Sequence, residues 1–409
     1  MAARPEHLRP VRTDRQTVQR PKKSNNNRYI RRVLSVERDY YDYNLLAVVI
    51  LLTCFGLVML YSTSAYEAMV ETGGNDMLYF RKQAVISVGA LFLALIGSQI
   101  DYHFLARFAA PVYGVSVFLL FITKFIGREI NGARRWIYIG PVSFQPAELA
   151  KLAIILFLPV MIVKVGHNLK GWKAPTVIAC FGMISAAFTY IFTDNLSTGL
   201  IIAGITVVLI FIAHPKTVPF VIGGGVLAGA AVVLLLFLAN MATSSDNFRI
   251  NRILVWLEPE SHSSLGGYQI MQALYAIGSG GFFGKGLGNS TQKLGALPEA
   301  QNDMIFSIIC EELGVFGAVL VILLFVFMLY RLFFIAQNAP DLLGALIVSG
   351  IFVHIALQVV LNIAVVTNMI PTTGITLPFV SYGGTSILFL MAEMSLALSV
   401  SRQIRFKGA

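Results

Sequence analysis

The sequence contains little charge for its length. Of its 409 residues only 13% are Asp, Glu, Lys or Arg, whereas 56% are hydrophobic. Soluble domains carry about 25% charged residues. The mean hydropathy of +0.73 and repeated apolar runs near the ~20 residues that cross a bilayer exclude an ordinary soluble domain. The short alternating segments of a β-barrel are also lacking, so the sequence predicts an all-α polytopic membrane protein.

Cysteine is also scarce. The three cysteines, Cys54, Cys180 and Cys310, lie in or beside apolar runs. An odd number of cysteines inside membrane segments argues against a disulfide framework, and no metal-ligand spacing surrounds them. We interpret them as small hydrophobic core residues, and we predict no protein metal site.

Positive charge is concentrated at the N-terminus. Residues 1–43 contain eleven Lys or Arg against five Asp or Glu. The tail has no apolar core of the kind that marks a signal peptide, and its Asn run and scattered prolines predict disorder. A basic tail before a first membrane helix predicts a cytoplasmic N-terminus and suits contact with anionic lipids. Nothing in the sequence calls for a nucleic-acid partner.

Ten apolar stretches are predicted to span the membrane, and a large external loop, residues 244–303, separates the seventh from the eighth. An even number of spans with basic residues at both ends places both termini in the cytoplasm. The chain therefore divides into the basic tail 1–43, a transmembrane domain 44–402 and a cytoplasmic tail 403–409. The approximate spans are 44–65, 83–100, 104–126, 147–165, 174–193, 196–213, 217–241, 305–335, 341–366 and 385–401.

The loop before the fourth span violates the positive-inside rule. It is predicted to be external, yet it contains Arg128, Arg134 and Arg135 together with Glu129. External arginines beside a membrane can bind a phosphate or pyrophosphate in forked geometry. The alternative is a surface loop with incidental charges, in which Trp136 is an interfacial anchor.

Other charges lie close to predicted hydrocarbon. Glu148 and Lys151 are three residues apart and share one helix face. Charges at such positions are costly unless they are paired or face a watery cavity, so the pair is either structural or part of a cavity. Arg81 and Lys82 mark the outer end of the second span, where snorkelling to head groups explains at least one of them.

The external loop 244–303 combines a glycine-rich run with a final acid. The run GSGGFFGKGLG lacks the GxxxxGK[ST] pattern and follows no strand, so nucleotide binding is not predicted. Its glycines allow close packing or flexibility in a loop that handles a bulky substrate. Asp303, at the re-entry into the membrane, could be a general base, a cation ligand or a helix cap. Asp194 and Asn195, between two spans, predict a capped turn.

Several long motifs occur in a fixed order: NGARRWIYIGPVSFQPAELAKL, DNLSTG, GGYQIMQALYAIGSGGFFGKGLGNSTQKLGALPEAQNDMIF, EELG and PTTGITLPFVSYGGTS. With them the chain resembles the SEDS family, the bacterial FtsW/RodA cell-wall glycosyltransferases, over roughly residues 44–402. NSTQK, NLSTG and GITLP are more like the division member FtsW than the elongation member RodA. A RodA-like polymerase and a sporulation paralogue are the alternatives within the family.

The resemblance implies polymerisation of lipid II into β-1,4 glycan strands at the outer face of the bacterial cytoplasmic membrane, for septal cell-wall synthesis. The family's essential acid lies in a motif usually reading HTDFIF, which corresponds here to QNDMIF and so to Asp303. Gln301 and Asn302 replace the usual His and Thr, so no role carries over from that histidine. Gly295 stands where relatives often have a further acid.

Further site residues follow from the same resemblance. Arg135 and Trp136 match a loop arginine and tryptophan, and Lys82 matches a basic residue at the end of the second span. The predicted substrate-binding set is Lys82, Arg134, Arg135, Trp136, Glu148, Lys151, Lys293 and Glu299. Asp303 would take the proton of the acceptor hydroxyl while cations stabilise the leaving pyrophosphate, so the two external loops should form two walls of one site.

The resemblance also implies partners and leaves the cofactor open. A class B penicillin-binding protein, which is a single-span transpeptidase, is the expected partner, with other divisome proteins around it. No cofactor is assigned with certainty, and a divalent cation, Mg²⁺ or Mn²⁺, would assist the pyrophosphate. The rival function is a lipid II flippase, but the informative charges cluster at the outer ends of the spans and the inner halves are almost purely apolar. A non-catalytic scaffold that recruits the transpeptidase is a third reading.

Overall fold

The computed structural model describes most of the predicted transmembrane domain. Nearly all of the basic tail 1–43 and most of the seventh predicted span, 217–241, lie outside the described residues. Within that span residues 218–226 are helical. The described residues are 40–405 apart from 131–132, 141, 227–228, 230–232, 234–247 and 263–265.

The described part of the chain is dominated by helices, as predicted. Eight of the helices found there are long and apolar enough to cross a membrane, namely α1, α2, α4, α5, α6, α7, α10 and α11 as bounded below. The helix α12 is shorter, with 17 residues, and packs with them. The predicted total of ten spans stays a prediction. The labelled helices are α1 Tyr43–Thr72, α2 Leu78–Gly97, α3 Tyr102–Ala106, α4 Ala109–Ile126, α5 Pro146–Val165, α6 Lys173–Thr193, α7 Leu196–Ala213, α8 Phe248–Leu257, α9 Gly267–Ser279, α10 Ile305–Asn338, α11 Leu342–Val366 and α12 Ser386–Arg402.

The loop between α4 and α5 forms a small antiparallel sheet that the sequence interpretation did not anticipate. Its strands are β1 Arg128–Ile130, β2 Ala133–Ile139 and β3 Val142–Phe144, in that order across the sheet. β-Branched and aromatic residues in β2 suit such a sheet. Because successive side chains of a strand point to opposite faces, β2 directs Arg134 and Arg135 to different sides.

The central helices of the bundle are α5 and α11. More than half of the membrane-crossing part of each is buried inside the protein. Both carry polar side chains into the core, including Glu148 and Lys151 on α5 and His354 and Gln358 on α11. Since unpaired polar groups are expensive in hydrocarbon, the partners of these side chains decide what the core can do.

The starts of α5, α7 and α10 lie at the same end of the bundle as the end of α11. Side chains connect these segments directly. Ser197 of α7 donates to the Thr373 carbonyl at 2.9 Å, and Asn362 of α11 donates to the Asp303 carbonyl at 2.8 Å. We refer to this end of the bundle as the Asp303 end.

The opposite end is closed by polar contacts between the two termini of the helical bundle and its turns. Arg331 of α10 pairs with Asp42 at 2.8 Å, and His103 bridges Asp101 and Asp341 at 2.8 and 2.6 Å. These contacts join the starts of α1, α3 and α11 to α10. They fix the bundle at the end away from Asp303.

A break in α10 gives the glycine-rich run a structural role. Gly314 is non-helical within α10, with φ 67° and ψ −166°. Residues 281–286 lie against the break, and four backbone hydrogen bonds of 2.9 to 3.1 Å join the two segments. Backbone groups that the break releases from the helix are therefore satisfied by the glycine-rich run. We call residues 280–288 the glycine strap.

Three glycines are required by this close contact. A Cβ atom at Gly280, Gly284 or Gly314 would lie 1.9, 2.2 or 2.4 Å from a backbone atom of the facing segment. Real Cβ atoms do not approach so closely, so the segments would have to separate. Close packing, rather than looseness, is the reason for glycine at these three positions.

Two ion pairs hold the strap and the chain that follows it onto α10. Lys285 pairs with Glu311 at 2.6 Å and Lys293 pairs with Glu312 at 2.8 Å, and both carboxylates are fully buried. Ser62 of α1 also donates to Glu312 at 2.7 Å. The pairs therefore tie α1, the strap and α10 into one unit.

We expect Gly284→Ala to destabilise the protein. The new Cβ would meet the Glu312 carbonyl, and the left-handed backbone of Gly284, with φ 77°, adds strain of roughly 1–2 kcal/mol. The melting temperature of the purified protein in detergent should fall clearly. Gly278→Ala in α9, where a Cβ meets open space, is the matched control. A melting temperature for Gly284→Ala equal to that of the control would contradict the role assigned to the strap.

Candidate active site

Asp303 stands immediately before α10, on the Asp303 end of the bundle. The residue as a whole is partly accessible to solvent. Its carboxylate oxygen Oδ1, however, is buried and has no hydrogen-bond partner within the described residues. Met304, not Asp303, occupies the cap position of α10. Of the three roles considered from sequence, helix capping is therefore not the one that the geometry favours.

The surroundings of Asp303 suit it to exchange a proton near neutral pH. Burial, together with the smaller effect of the nearby Glu299 carboxylate, raises the pKa of Asp303 to about 7 against the opposing effect of Arg252 and Arg135. A general base works best when its pKa lies near the working pH. Asp303 therefore has the electrostatic properties of a general base.

Arg135 brings the first external loop to Asp303. It extends from β2, and its Nη2 donates to the Asp194 carbonyl at 2.9 Å. Its guanidinium interacts electrostatically with both Asp194 and Asp303, while its Nε is buried without a hydrogen-bond partner among the described residues. The two loops that the sequence predicts to be external thus meet at Asp303.

The turn between α6 and α7 supplies the carbonyl that holds Arg135. Asp194 adopts a left-handed backbone with φ 49°, and the Asn195 side chain accepts from the Thr198 amide at 3.1 Å. This is the capped turn that the sequence predicted. The turn exposes the Asp194 carbonyl to Arg135, so a local capping motif also orients a site residue.

Arg252 of α8 is a site residue that the sequence interpretation missed. Its Nη1 donates to the Thr372 carbonyl at 3.1 Å, and its guanidinium interacts electrostatically with Asp303 and Arg135. Burial lowers the pKa of both guanidinium groups, Arg135 and Arg252. The signal was available, because arginines in RINRILVW violate the positive-inside rule in the same way as those of the first loop.

A third segment, residues 368–377, completes the surroundings of Asp303. A Cβ added at Gly374 would lie 3.7 Å from Asp303 Oδ2, so the backbone of this segment runs against the carboxylate. Trp256 donates to the Asn368 carbonyl at 3.0 Å, and Gln358 donates to the Thr376 carbonyl at 3.0 Å. The segment is thus held by α8 and α11 around the site.

Glu148 and Lys151 form a buried ion pair inside the bundle. Their side chains meet at 2.9 Å, and only 7% and 2% of the two residues is exposed. Ser386 donates to Glu148 at 3.0 Å, and Lys151 donates to Gln358 at 3.1 Å. The pair is satisfied by protein groups and reaches the segment 368–377 through Gln358.

Two of the remaining predicted residues lie in ion pairs or hydrogen bonds of the loops. Lys293 is paired with the buried Glu312, as described above. Glu299 has a left-handed backbone with φ 55°, accepts from Asn302 and lies near enough to Asp303 to raise its pKa. Glu299 thus belongs to the surroundings of Asp303, whereas Lys293 holds the loop onto α10.

The other three predicted residues lie away from these contacts. Arg134 is exposed and turned toward Glu129, at 3.4 Å, and toward the Lys124 carbonyl. Trp136 is half-buried in β2, and Lys82 is exposed near the start of α2. Of the two neighbouring arginines in β2, only Arg135 has an interaction with Asp303 that the structure identifies.

The site combines one carboxylate, whose pKa is raised to about 7, with two guanidinium groups. Asp303 Oδ1, Arg135 Nε and Thr373 Oγ1 are all buried without hydrogen-bond partners among the described residues. Such groups cost roughly 1–3 kcal/mol each when left unpaired, and they are commonly found where a ligand supplies the partner. The arrangement can accept a proton from a hydroxyl and bind an anion beside it.

Comparison with known proteins gives a consistent picture. The family model for FtsW, RodA and SpoVE, described as "Cell cycle protein", matches residues 42–406. Stage V sporulation protein E of Bacillus subtilis is 38% identical over 369 residues, covering 89% of this chain and 98% of that protein. The probable peptidoglycan glycosyltransferase FtsW of the same organism is 36% identical over 380 residues, covering 90% and 92%.

Solved structures agree with this fold. A structure described as "Structural coordination of polymerization and crosslinking by a peptidoglycan synthase complex" matches with a TM-score of 0.71 and 29% identity, over 88% of this chain and 98% of that one. The rod-shape-determining protein RodA of Thermus thermophilus matches with a TM-score of 0.62 and 27% identity, over 89% and 97%.

We expect charge changes around Asp303 to move its pKa in opposite directions. Arg252→Met removes a cation that favours the carboxylate, so the pKa should rise above about 7. Glu299→Gln removes a like charge, so the pKa should fall. The carboxyl band in pH-difference infrared spectra, assigned with Asp303→Asn, measures both shifts. Arg128→Met, at an exposed position on β1, is the control. Shifts of the same sign for Arg252→Met and Glu299→Gln would contradict the described electrostatics.

Proposed function

The chain belongs to the FtsW/RodA/SpoVE family, and we propose that it polymerises lipid II with Asp303 as the general base. It is a predominantly helical membrane enzyme of the peptidoglycan glycosyltransferase class. The observation that supports the role of Asp303 best is its buried carboxylate, with a pKa raised by burial to about 7, between Arg135 and Arg252. The residue also occupies the position of the family's essential acid in QNDMIF.

In the proposed reaction the donor glycan is linked through an α bond and pyrophosphate to a polyprenol. The 4-hydroxyl oxygen of the acceptor GlcNAc attacks the donor anomeric carbon, and its proton passes to Asp303. The bond from that carbon to the pyrophosphate oxygen breaks with its electron pair, and polyprenyl pyrophosphate leaves. A single displacement inverts the linkage and yields a β-1,4 bond. General-base assistance of this kind contributes about 10²–10⁴ in rate.

Arg135 and Arg252 are the cations that we assign to the pyrophosphate. Both are beside Asp303, and the guanidinium fork matches phosphate geometry. Interactions with developing charge are strengthened where burial excludes water. Lys151, considered from sequence, is already neutralised by Glu148, and Arg134 faces Glu129. Arg252 therefore takes the place among the cations that the sequence interpretation had given to these residues.

A divalent cation, Mg²⁺ or Mn²⁺, would enter this site with the pyrophosphate. Among the described residues no cluster of three or more His, Cys, Asp or Glu side chains is placed to hold an ion. Mg²⁺ is often bound by one or two carboxylates together with substrate phosphates, and Glu299 is the nearby carboxylate that would hold the ion while Asp303 acts as the base. Bound there, the ion would screen phosphate charge. The steps proposed above use residues of the chain alone.

We assign the chain to the division branch of the family, acting in septal wall synthesis. NSTQK, NLSTG and GITLP support this branch, and curated FtsW proteins are among its relatives. Similarity to a sporulation protein and to RodA keeps a sporulation paralogue and an elongation polymerase as the alternatives. Depletion of the protein in its host would separate the three through the stage at which wall synthesis stops.

The proposed location is the bacterial cytoplasmic membrane, with both termini in the cytoplasm and the Asp303 end outside. The proposed partners are a class B penicillin-binding protein and other divisome proteins. Similarity to a chain of a peptidoglycan synthase complex supports such an assembly. If the chain were instead a scaffold for the transpeptidase, Asp303 and Arg135 would be dispensable for growth in a complementation test.

The flippase alternative rests on polar groups along the whole membrane path. The inner halves of the spans are almost purely apolar in sequence, and the polar pair of His354 and Glu393, at 2.8 Å, lies near the middle of α11 and α12. Both are almost fully buried and hydrogen-bonded to protein. They form a packed polar core rather than the lining of an open path, which favours the polymerase.

We expect Asp303→Asn to lower lipid II polymerisation by the purified protein with its transpeptidase by at least about 100-fold. The amide preserves the shape of the carboxylate but is not a base. Glycan products on gels measure polymerisation, and size-exclusion chromatography with a melting curve shows whether the variant is folded. Glu129→Gln, an exposed acid on β1 at the same end, is the control.

Two outcomes would count against this proposal. Folded Asp303→Asn protein that polymerises at near the parental rate would remove Asp303 from the mechanism. Parental protein that moves lipid II across vesicle membranes and forms no glycan under any condition would favour the flippase.

A further inference from the structure

Two amide side chains lie one helical turn apart on α11 and face the proposed active site. Gln358 and Asn362 are 2% and 0% exposed, and residues four apart share a helix face. Each donates hydrogen bonds to backbone carbonyls of other segments. Buried amides are costly unless they are satisfied, so their partners indicate what they hold in place.

Asn362 joins Asp303 to the segment 368–377. Its Nδ2 donates to the Asp303 carbonyl at 2.8 Å and to the Ile375 carbonyl at 2.7 Å. One side chain therefore uses both of its hydrogens to bridge the residue proposed as the base and the chain that runs against it. Its Oδ1 is buried without a partner among the described residues.

Gln358 joins the same segment to the buried ion pair. Its Oε1 accepts from Lys151 Nζ at 3.1 Å, and its Nε2 donates to the Thr376 carbonyl at 3.0 Å. The opposite amide orientation would set an amide group against an ammonium group and an oxygen against a carbonyl oxygen. The two neighbours therefore allow one orientation of Gln358.

His354 contacts the same amide from the other side. Its Nε2 lies 2.8 Å from Gln358 Oε1. Its Nδ1 lies 2.8 Å from Glu393 Oε2 of α12. The buried chain from Lys151 through Gln358 therefore continues to His354 and Glu393.

We propose that Gln358 and Asn362 are positioning residues that fix Asp303 and the segment 368–377, and that Lys151 sets the orientation of Gln358 within the buried chain that continues to His354 and Glu393. These residues act through Asp303 and the carbonyls of Ile375 and Thr376. The inference rests on the proposed function for its kinetic readout only. Its geometric content is independent of the reaction.

The test compares Asn362→Ala, Asn362→Leu and Gln358→Met in the full-length protein. Asn362→Ala frees Asp303 from its tether and admits water, so the Asp303 pKa should fall from about 7 toward the ordinary range. This variant leaves unchanged the charged groups that act on Asp303, namely Glu299, Arg135 and Arg252. The pH-difference infrared band of Asp303 measures the shift without any need for activity.

The kinetic readout separates positioning from substrate binding. With lipid II as substrate and the transpeptidase present, kcat should fall at least about tenfold in each variant, while KM changes less. The acid limb of the rate profile should move to lower pH in Asn362→Ala, in step with the infrared titration. Because both amides hold one segment, Asn362→Ala combined with Gln358→Met should lose less than the product of the single losses.

Folding is controlled in two ways. Asn362→Leu fills the space of the amide while removing its donors, so it should stay folded and still lose kcat. Asn338→Ala removes an amide that donates only to the Phe334 carbonyl at the far end of α10 and should leave kcat and the Asp303 pKa unchanged.

Parental kcat and an unmoved Asp303 titration in folded Asn362→Ala and Asn362→Leu would overturn the inference. The inference would also be overturned if kcat fell in strict proportion to the loss of folded protein while the acid limb of the rate profile stayed at the parental pH. A failure of the proposed function would give a different result. The parental protein would then make no glycan, whereas the infrared shifts would still show whether Asn362 positions Asp303.

Discussion

The burial of one carboxylate sets the requirements for the Asp303 end of the molecule. A carboxylate taken out of water loses solvation, and the loss appears as the raised pKa of Asp303. Arg135 and Arg252 offset part of the cost, and Asn362 holds the backbone of Asp303. These three groups come from a strand, a short helix and a spanning helix that are far apart in sequence. The helices must therefore align their ends before the carboxylate can acquire its properties.

Polar side chains also extend from the Asp303 end into the core of the bundle. Glu148, Lys151, Gln358, His354 and Glu393 form one hydrogen-bonded chain that crosses from α5 through α11 to α12. Each member is hydrogen-bonded to its neighbour, as polar groups within a membrane protein require, while Glu393 Oε1 has no hydrogen-bond partner among the described residues. A bundle whose central helices are joined in this way has one registration of α5, α11 and α12. That registration places the amides of α11 beneath Asp303.

The sequence predicts those parts of this arrangement that depend on local motifs or on charges in unusual positions. Asp303 and Arg135 stood out as charges near the outer ends of apolar spans, and the cap at Asn195 follows from its position between two helices. Gln358 and Asn362 could not be found, because an amide in an apolar run carries no charge signal and its partners are distant in sequence. The sheet of β1 to β3 was not predicted because two of its strands, β1 and β3, are only three residues long. The packing of the glycine strap depends on the break at Gly314. A glycine in an apolar run does not by itself predict such a break.

The break at Gly314 also determines how stiff α10 is. Across an ordinary helical turn, bending must strain hydrogen bonds between residues four apart. At Gly314 the corresponding backbone groups bond to the strap instead. The rigidity of α10 at this height therefore comes from another part of the chain, and from Lys285 and Lys293 on their buried carboxylates. The helical residues on both sides of Gly314 are therefore joined through the strap as well as through the 34-residue α10 itself.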